Sequence, residues 1–417
     1  MNNLNENLRL DNNCRLCSSE RIKIVFKLKP TPPGDLFLPQ DKLNLSDEKY
    51  SLILALCEDC GYLHLPYVLN PEVSYTDYVY ETKVTVGLRK NYKEYADSII
   101  SFAGTEPGSS VIDLGSNDGT MLKAFKESGM KVLGVEPNDN IAGIANRNGL
   151  ETIADYFNST IANHIIKEHG RASVITANYM YANIDNVVAF TGDVKKILED
   201  EGLFVIQTGY HPEQMKINMF DYIYHEHFSY FSVKVLKQLL EQCGMELIHV
   251  SLHSPKGGSI RAIAQHSDGK RELDESVGLF MREEEDAGIH ESGTYIRFAK
   301  EIDRRKKQVL ELIGQIKSAS HSIIGYGASH STTTLLHHFE VGEYIDFLVD
   351  DNPIKHGLYS PGYQLPVYPS DKLYEDKPEY VLVLGWQHQD SIINRNKKYL
   401  NEGGKFIVPL PKLKVIG

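Results

Sequence analysis

The chain has 417 residues, of which 41 % are hydrophobic and 24 % charged, with a formal net charge of -12. Such a length carries two to three domains of ordinary globular composition, while the acidic balance, the single tryptophan and the lack of any basic block argue against a nucleic-acid partner. No apolar run reaches membrane length and Met1–Glu6 lacks a signal-peptide pattern, so the expectation is a cytoplasmic protein without a membrane partner, monomeric or a small homo-oligomer.

Four of the five cysteines fall in two close pairs, Cys14-x-x-Cys17 and Cys57-x-x-Cys60. Two disulfides are disfavoured in a reducing compartment and a redox Cys-x-x-Cys usually stands alone, whereas two thiolate pairs match a tetrahedral Zn2+ site. With all four positions filled the metal is expected to be structural. Cys243, before Gly244 at a helix end, reads as a small core residue. Between the pairs, Pro30, Pro32, Pro33 and Gly34 mark a loop and Tyr50–Leu56 a strand. The tyrosine-dense stretch Tyr75–Tyr80 precedes a predicted helix Thr85–Phe102; it either packs the small domain against the next or forms a lid, and Tyr78 and Tyr80 are candidate substrate contacts.

Val111-Ile112-Asp113-Leu114-Gly115 reads as a strand closed by a glycine turn, and the amphipathic stretch from Thr120-Met121-Leu122 as the following helix. Gly115 and Gly119 let the backbone turn sharply near a ligand, and the helix start offers unpaired N–H groups. Lys131–Val135 is a second strand, ending in Glu136, whose carboxylate can accept both hydroxyls of a ribose. The loop lacks the Gly-x-Gly-x-x-Gly dinucleotide pattern, and Asp113 and Asp118 would repel a pyrophosphate. A cationic, phosphate-free ligand fits better; the stretch resembles motif I of class I methyltransferases, which implies S-adenosylmethionine. Asp113, Gly115, Ser116, Asn117, Gly119, Glu136 and Pro137 are the candidate cofactor residues.

Alternation continues with a helix at Ile141–Asn148, a short strand at Glu151–Ala154 and another at Ser173–Ala177, which implies a parallel sheet with its ligand at the carboxyl ends of the strands. Asp155 and Asn178 fall at those ends and join the cofactor set, Asp155 as a candidate partner of an adenine amino group. After the strand Gly202–Gln207, the segment Phe220–Ser232 packs Tyr224, His225, Glu226 and His227 among aromatics, before a helix Val233–Cys243. His225 and His227 flank one glutamate, which excludes the two-residue gap of a zinc protease helix and favours acid–base work. Further on, Lys256, Gly257, Gly258, Ser259 and Arg261 read either as a plain strand connection or as a glycine-rich turn with donors for a diphosphate. Glu283–Ile316 is a long charged helical pattern, and Ser322–Ala328 opens a second strand–glycine–helix unit, with strands near Ile345–Val349 and Tyr380–Leu384.

Taken together, the four cysteines, Asp113–Gly119, Glu136–Ala142, Tyr224–Ser232 and Gly257–Arg261 resemble the sugar C-methyltransferase family over essentially the whole chain. Its members methylate carbon 3 of nucleotide-linked 4-keto-deoxysugars. The resemblance implies an α/β architecture in three parts: a small N-terminal zinc-binding domain (1–80), a central class I methyltransferase Rossmann-like domain (81–250), and a C-terminal second Rossmann-like domain (251–417) that shapes the sugar-nucleotide cleft without a cofactor of its own. It implies S-adenosylmethionine and structural Zn2+, with a nucleotide-linked sugar as acceptor. The expected roles are His227, paired with Glu226, as base; Tyr224 or Asn183 as hydrogen-bond partner of an enolate oxygen; and Tyr78, Tyr80, His225, Lys256, Ser259 and Arg261 as substrate contacts. Asn183 stands where the family commonly has a histidine, Gln207 where it commonly has a glutamate, and Ser329–Thr334 departs from its small residues and lysine. The alternatives are O- or N-methylation of a nucleotide sugar, and a non-catalytic binding protein derived from a methyltransferase.

Overall fold

The computed structural model describes residues 7–45, 48–70, 73 and 88–417; Tyr78 and Tyr80, the whole Tyr75–Tyr80 stretch and the start expected for the helix at Thr85 lie outside them. At the N-terminus β1 (Leu8–Leu10), β2 (Ile22–Lys27), β3 (Ile53–Cys57), β4 (Leu63–His64) and β5 (Tyr67–Leu69) form two small antiparallel units, β1 with β5 and β2 with β3 and β4. The two cysteine pairs sit in the turn before β2 and in the tight turn after β3, where Gly61 takes a left-handed φ of 77°.

The helix Leu88–Ala103 leads into alternating strands and helices: β6 (Ser110–Leu114), β7 (Lys131–Val135), β8 (Thr152–Ile153), β9 (Ala172–Asn178) and β10 (Leu198–Gly209) are all parallel. Val111, Ile112 and Leu114 of β6 are buried on both faces, as a central strand covered by helices requires. Then follow β11 (Ser229–Tyr230), the helix Val233–Gln242, and the hairpin β12 (Met245–His253) and β13 (Ser259–His266). The seven-stranded order is β12-β13-β10-β9-β6-β7-β8, with β13 antiparallel to β10. Residues 251–266 therefore belong to the central sheet, on the far side of the division drawn at 250. The strand order reverses between β6 and β9, and the carboxyl ends at such a reversal are where sheets of this kind bind ligands.

The charged pattern expected as one helix is two, Glu275–Asp286 and Ser292–Ser318, broken where Gly288 adopts a φ of 62°. The second helix packs Tyr295, Phe298 and Ile302 into one core with Val25, Phe26 and Leu54 of the N-terminal sheet and with the C-terminal strands; the Phe26 and Phe298 rings meet edge to face at 5.9 Å. β14 (Ile323–Tyr326), β15 (Leu348–Asp350), β16 (Val367–Pro369), β17 (Tyr380–Val383), β18 (Lys405–Val408) and β19 (Lys414–Ile416) build a second sheet ordered β16-β15-β14-β17-β18-β19, parallel except for β19. Its glycine turn is filled by protein: a β-carbon on Gly327 would lie 2.8 Å from the Gly385 nitrogen, and the Ala328 N–H donates to Asp350 Oδ2 at 2.6 Å. No described helix is long and apolar enough to cross a membrane.

Candidate active site

The loop after β6 is held by the acids around it. Asp113, the penultimate residue of β6, is 3 % exposed and accepts from the Thr176 hydroxyl at 2.6 Å and the Asn178 amide at 3.3 Å. Burial, with the Glu136 charge adding to it, raises its pKa to about 7. Glu136 bridges two backbone segments, accepting from the Asn117 N–H and the Asn138 N–H, both at 3.0 Å. Each oxygen keeps a lone pair for a further donor. Gly115 and Gly119 have φ of 70° and 78°, and β-carbons there would lie 2.8 Å from Met180 Cγ and 2.6 Å from Leu150 Cδ1. Thr120 donates both its N–H and its hydroxyl to Asp118 Oδ1, tying the helix start. Ser116 Oγ and Asn178 Oδ1 are buried without a protein partner. Two carboxyls, two orphan polar atoms and a glycine turn at one sheet edge suit a neutral-to-cationic ligand with donors, and S-adenosylmethionine is of that kind. Pro137 and Asp155 are exposed beside this edge, Asp155 with its own carboxylate turned to the Tyr156 N–H at 2.7 Å.

Next to it, beyond β9 and β10, lies a small cleft lined by Tyr179, Thr208, Tyr222, His227, Tyr230 and Lys256, among others. A small, mainly apolar cavity adjoins it, sharing Gln214, Tyr222 and Tyr230. His227 Nδ1 lies 3.2 Å from the Tyr222 carbonyl, which can only accept, so that nitrogen carries the proton. Nε2 is therefore the basic nitrogen, and it accepts from the Tyr224 hydroxyl at 2.9 Å. Burial lowers the His227 pKa to about 3, with the Lys256 charge adding to it, so the ring is neutral near pH 7. Lys256 is exposed as a residue, yet its ammonium sits in the concavity, 4.2 Å from the Tyr179 ring centroid, and the crowding protein atoms lower its pKa to about 8.

The expected pairing of His227 with Glu226 gives way to these two partners. Alternate residues of the loop face opposite ways: the Glu226 side chain is buried beside His330 and Asp35, where Asp35 binds Lys355 at 2.8 Å. His225 also turns away from the cleft, packing edge to face on Tyr50 at 6.1 Å, so it is not placed to touch an acceptor there. Arg261 and Ser259 are placed differently from the expectation. Both are buried in β13: Arg261 donates from Nε to Gln207 Oε1 at 3.0 Å with its guanidinium 3.9 Å from the Tyr95 ring centroid, and Ser259 Oγ donates to the Pro255 carbonyl at 2.8 Å. Neither lines the cleft. Asn183 ends a short 3-10 turn next to Ala182, which does line it. The C-terminal domain backs the 222–227 loop rather than lining the cleft: Tyr222 donates to Gln387 Oε1 at 3.1 Å, and the Tyr224 ring meets that of His330 at a tilt, with centroids 5.0 Å apart. Sequence reasoning missed Tyr179, although its position directly after Asn178, at a strand's carboxyl end, marks it; its φ is 56° and its hydroxyl accepts from Gln207 Nε2 at 2.9 Å.

The four sulfur atoms of Cys14, Cys17, Cys57 and Cys60 lie within 4.8 Å of one another, with Cys14–Cys60 and Cys17–Cys57 at 3.6 Å. A zinc tetrahedron with Zn–S of about 2.3 Å has sulfur–sulfur edges of about 3.8 Å, so the donor set fits a closed structural site. The Leu16 N–H donates to Cys14 Sγ at 3.4 Å, as a thiolate ligand would use it.

Three family profiles match the chain: a zinc binding domain over residues 14–75, a methyltransferase domain over 88–250, and a C-methyltransferase C-terminal domain over 254–411. The chain is 31% identical over 405 residues to the C-methyltransferase NovU of Streptomyces niveus, covering 97% of this chain and 96% of that protein. Among solved structures, magnesium protoporphyrin IX methyltransferase of Synechocystis PCC 6803 with bound S-adenosylmethionine has 12% identity and a TM-score of 0.32, over 44% of this chain and 86% of that one. An S-adenosylmethionine-dependent methyltransferase of Clostridium acetobutylicum has 10% identity and a TM-score of 0.34, over 48% and 96%. The site and the profiles together define an S-adenosylmethionine-dependent methyltransferase with a structural zinc site. More narrowly, the chain belongs to the C-methyltransferase family that includes NovU.

Proposed function

We propose that the protein methylates the carbon next to the ketone of a nucleotide-linked keto-sugar, carbon 3 of a 4-keto-deoxysugar, through an enolate. The observation that carries this reading is a neutral imidazole with an unprotonated Nε2 in a cleft beside the carboxyl ends of β9 and β10. A carbon acceptor has to lose a proton before it can attack, and a charged imidazole could not take it. His227 Nε2 is the base in this reading. Its lone pair points at the Tyr224 hydroxyl, so the acceptor either displaces that hydroxyl or passes its proton through it. Glu226 acts on the shape of the loop rather than on the proton. Asp113, Gly115, Ser116, Asn117, Gly119, Glu136, Pro137, Asp155 and Asn178 form the cofactor edge. Bound there, S-adenosylmethionine supplies a methyl group already activated on a cationic sulfur. The chain's own part is to place donor and acceptor edge to edge, which converts an encounter between two solutes into a step within one complex.

The test is solvent exchange in heavy water, without the methyl donor, over a set of 4-keto-deoxysugar nucleotides. The protein should exchange the carbon 3 proton, and His227→Asn should slow that exchange by about 100-fold or more, the usual worth of a general base, while S-adenosylmethionine affinity stays within about threefold. Exchange that survives the substitution removes His227 from the role of base.

A further inference from the structure

We propose that Lys256 is a second catalytic residue: its ammonium, in the same cleft as His227, binds the acceptor's carbonyl oxygen and stabilises the negative charge that forms there. The inference rests on the function proposed above. Lys256 is the one cation among the described residues lining the cleft, and its ammonium touches the Tyr179 ring face, with no hydrogen-bond or carboxylate partner among those residues. The side chain is aimed by a turn that few sequences could adopt. Lys256, Gly257 and Gly258 have successive φ of 56°, 74° and 112°; a β-carbon at Gly257 would overlap Met219, and one at Gly258 would lie 2.6 Å from Glu213 Cβ. Gln214 Nε2 donates to the Lys256 carbonyl at 3.2 Å and the Tyr210 N–H to the Gly258 carbonyl at 3.0 Å. Left-handed backbone at a non-glycine residue is strained, and such strain is retained where it places a functional group.

The electron balance requires such a group. The carbon–hydrogen bond breaks, its proton goes to His227 Nε2, its electron pair forms the carbon–carbon double bond, and the carbonyl π pair moves onto oxygen. An ammonium beside that oxygen lowers the barrier because its attraction grows as the charge develops. A diphosphate carries charge on both phosphates and would draw more than one cation; here Arg261 is engaged by Gln207 within the sheet, and the other polar side chains of the lining, Thr208, Gln214 and Ser229 among them, are neutral. One ammonium matches one oxyanion.

The groups facing Lys256 are Tyr179, Tyr222, Tyr230 and His227 in the cleft, with Glu213 behind Gly258 engaged by Lys216 and Arg261 engaged by Gln207. Since the protein atoms crowding the ammonium lower the lysine's pKa to about 8, exchange of the carbon 3 proton should fall as pH rises through about 8. The experiment measures that exchange, without methyl donor, from pH 6 to 10 in the unaltered protein, Lys256→Met and Lys256→Arg, with S-adenosylmethionine affinity by calorimetry as the check of folding. Lys256→Met should lose about 100-fold in exchange, the worth of one oxyanion donor, with the sugar nucleotide KM within about threefold. Lys256→Arg should keep part of the exchange and lose the fall near pH 8, because a guanidinium stays charged. A raised KM with unchanged kcat and exchange in Lys256→Met makes the lysine a phosphate anchor and overturns the inference, as does undiminished exchange. Exchange present in the unaltered protein but indifferent to Lys256 leaves the proposed function standing; no exchange in the unaltered protein with any keto-sugar nucleotide overturns both.

Discussion

Asp113 carries two duties that conflict in the free protein. It anchors Thr176 and Asn178 at the carboxyl ends of the strands, yet it is buried, and burial lifts its pKa from 3.8 to about 7. A carboxyl whose folded pKa exceeds its unfolded one stabilises the fold fully below the unfolded value, and that contribution is lost as pH rises through the folded value. The free protein should therefore lose stability between about pH 4 and pH 7 through this group, by a few kcal/mol at most at about 1.4 kcal/mol per pKa unit. Asp113→Asn cannot ionise. Melting of the two proteins from pH 5 to pH 8 should show a decline in the unaltered chain that the asparagine variant lacks; parallel curves would mean that Asp113 is ionised throughout and held by its two donors.

At the scale of elements, Glu136 joins the turn after β6 to the start of the helix Asp139–Arg147, since each of its oxygens accepts a backbone N–H from one of them. Glu136→Gln keeps one acceptor and sets an amide against the other N–H, so the variant should lose about 1.5–3 kcal/mol of stability and bind S-adenosylmethionine at least about tenfold more weakly. Calorimetry and denaturant titration check both; full affinity with full stability would remove Glu136 from the cofactor edge. The strand–turn–helix unit around this acid was legible because an apolar run between Asp113 and Gly115 has no other economical reading. The hairpin of β12 and β13 was not. Its alternating pattern suits an antiparallel edge in either sheet, and only the register of Phe204 with Ala264 through Gly209 with Ser259 assigns it to the central one. That register also sets where Arg261 lies: as the partner of Gln207 in β10 it is a sheet residue, whereas the sequence shows only a cation after two glycines. The Tyr224–His227 pair was half legible. The residues are three apart, but nothing in the string tells that Glu226 between them turns to Asp35 and His330 of other domains.

Over the whole molecule, the zinc-binding part grips the loop that carries His227, the proposed base. β4 follows directly on the Cys57–Cys60 turn and pairs with β11, placing His64 opposite Ser229, two residues after His227. The Tyr62 hydroxyl bonds Ser229 Oγ, the Leu65 N–H donates to the Phe228 carbonyl at 3.0 Å, and Arg15, between Cys14 and Cys17, donates to the same carbonyl at 2.7 Å. Residues 228–230 are thus held from both cysteine pairs, while the cofactor edge at β6 and β7 makes none of these contacts. A closed thiolate site contributes folding energy directly, so loss of the metal should loosen this grip first. The purified protein is expected to contain close to one zinc per chain. Stripping it with a chelator, or replacing Cys60 by serine, should lower the melting temperature and reduce carbon 3 exchange by about tenfold or more, because a base displaced by even 1 Å loses its alignment. S-adenosylmethionine affinity should change far less. A metal-free protein with full exchange would show that the loop keeps its shape without the zinc, and a loss of exchange and donor affinity in equal measure would show that the metal supports the whole fold rather than the loop.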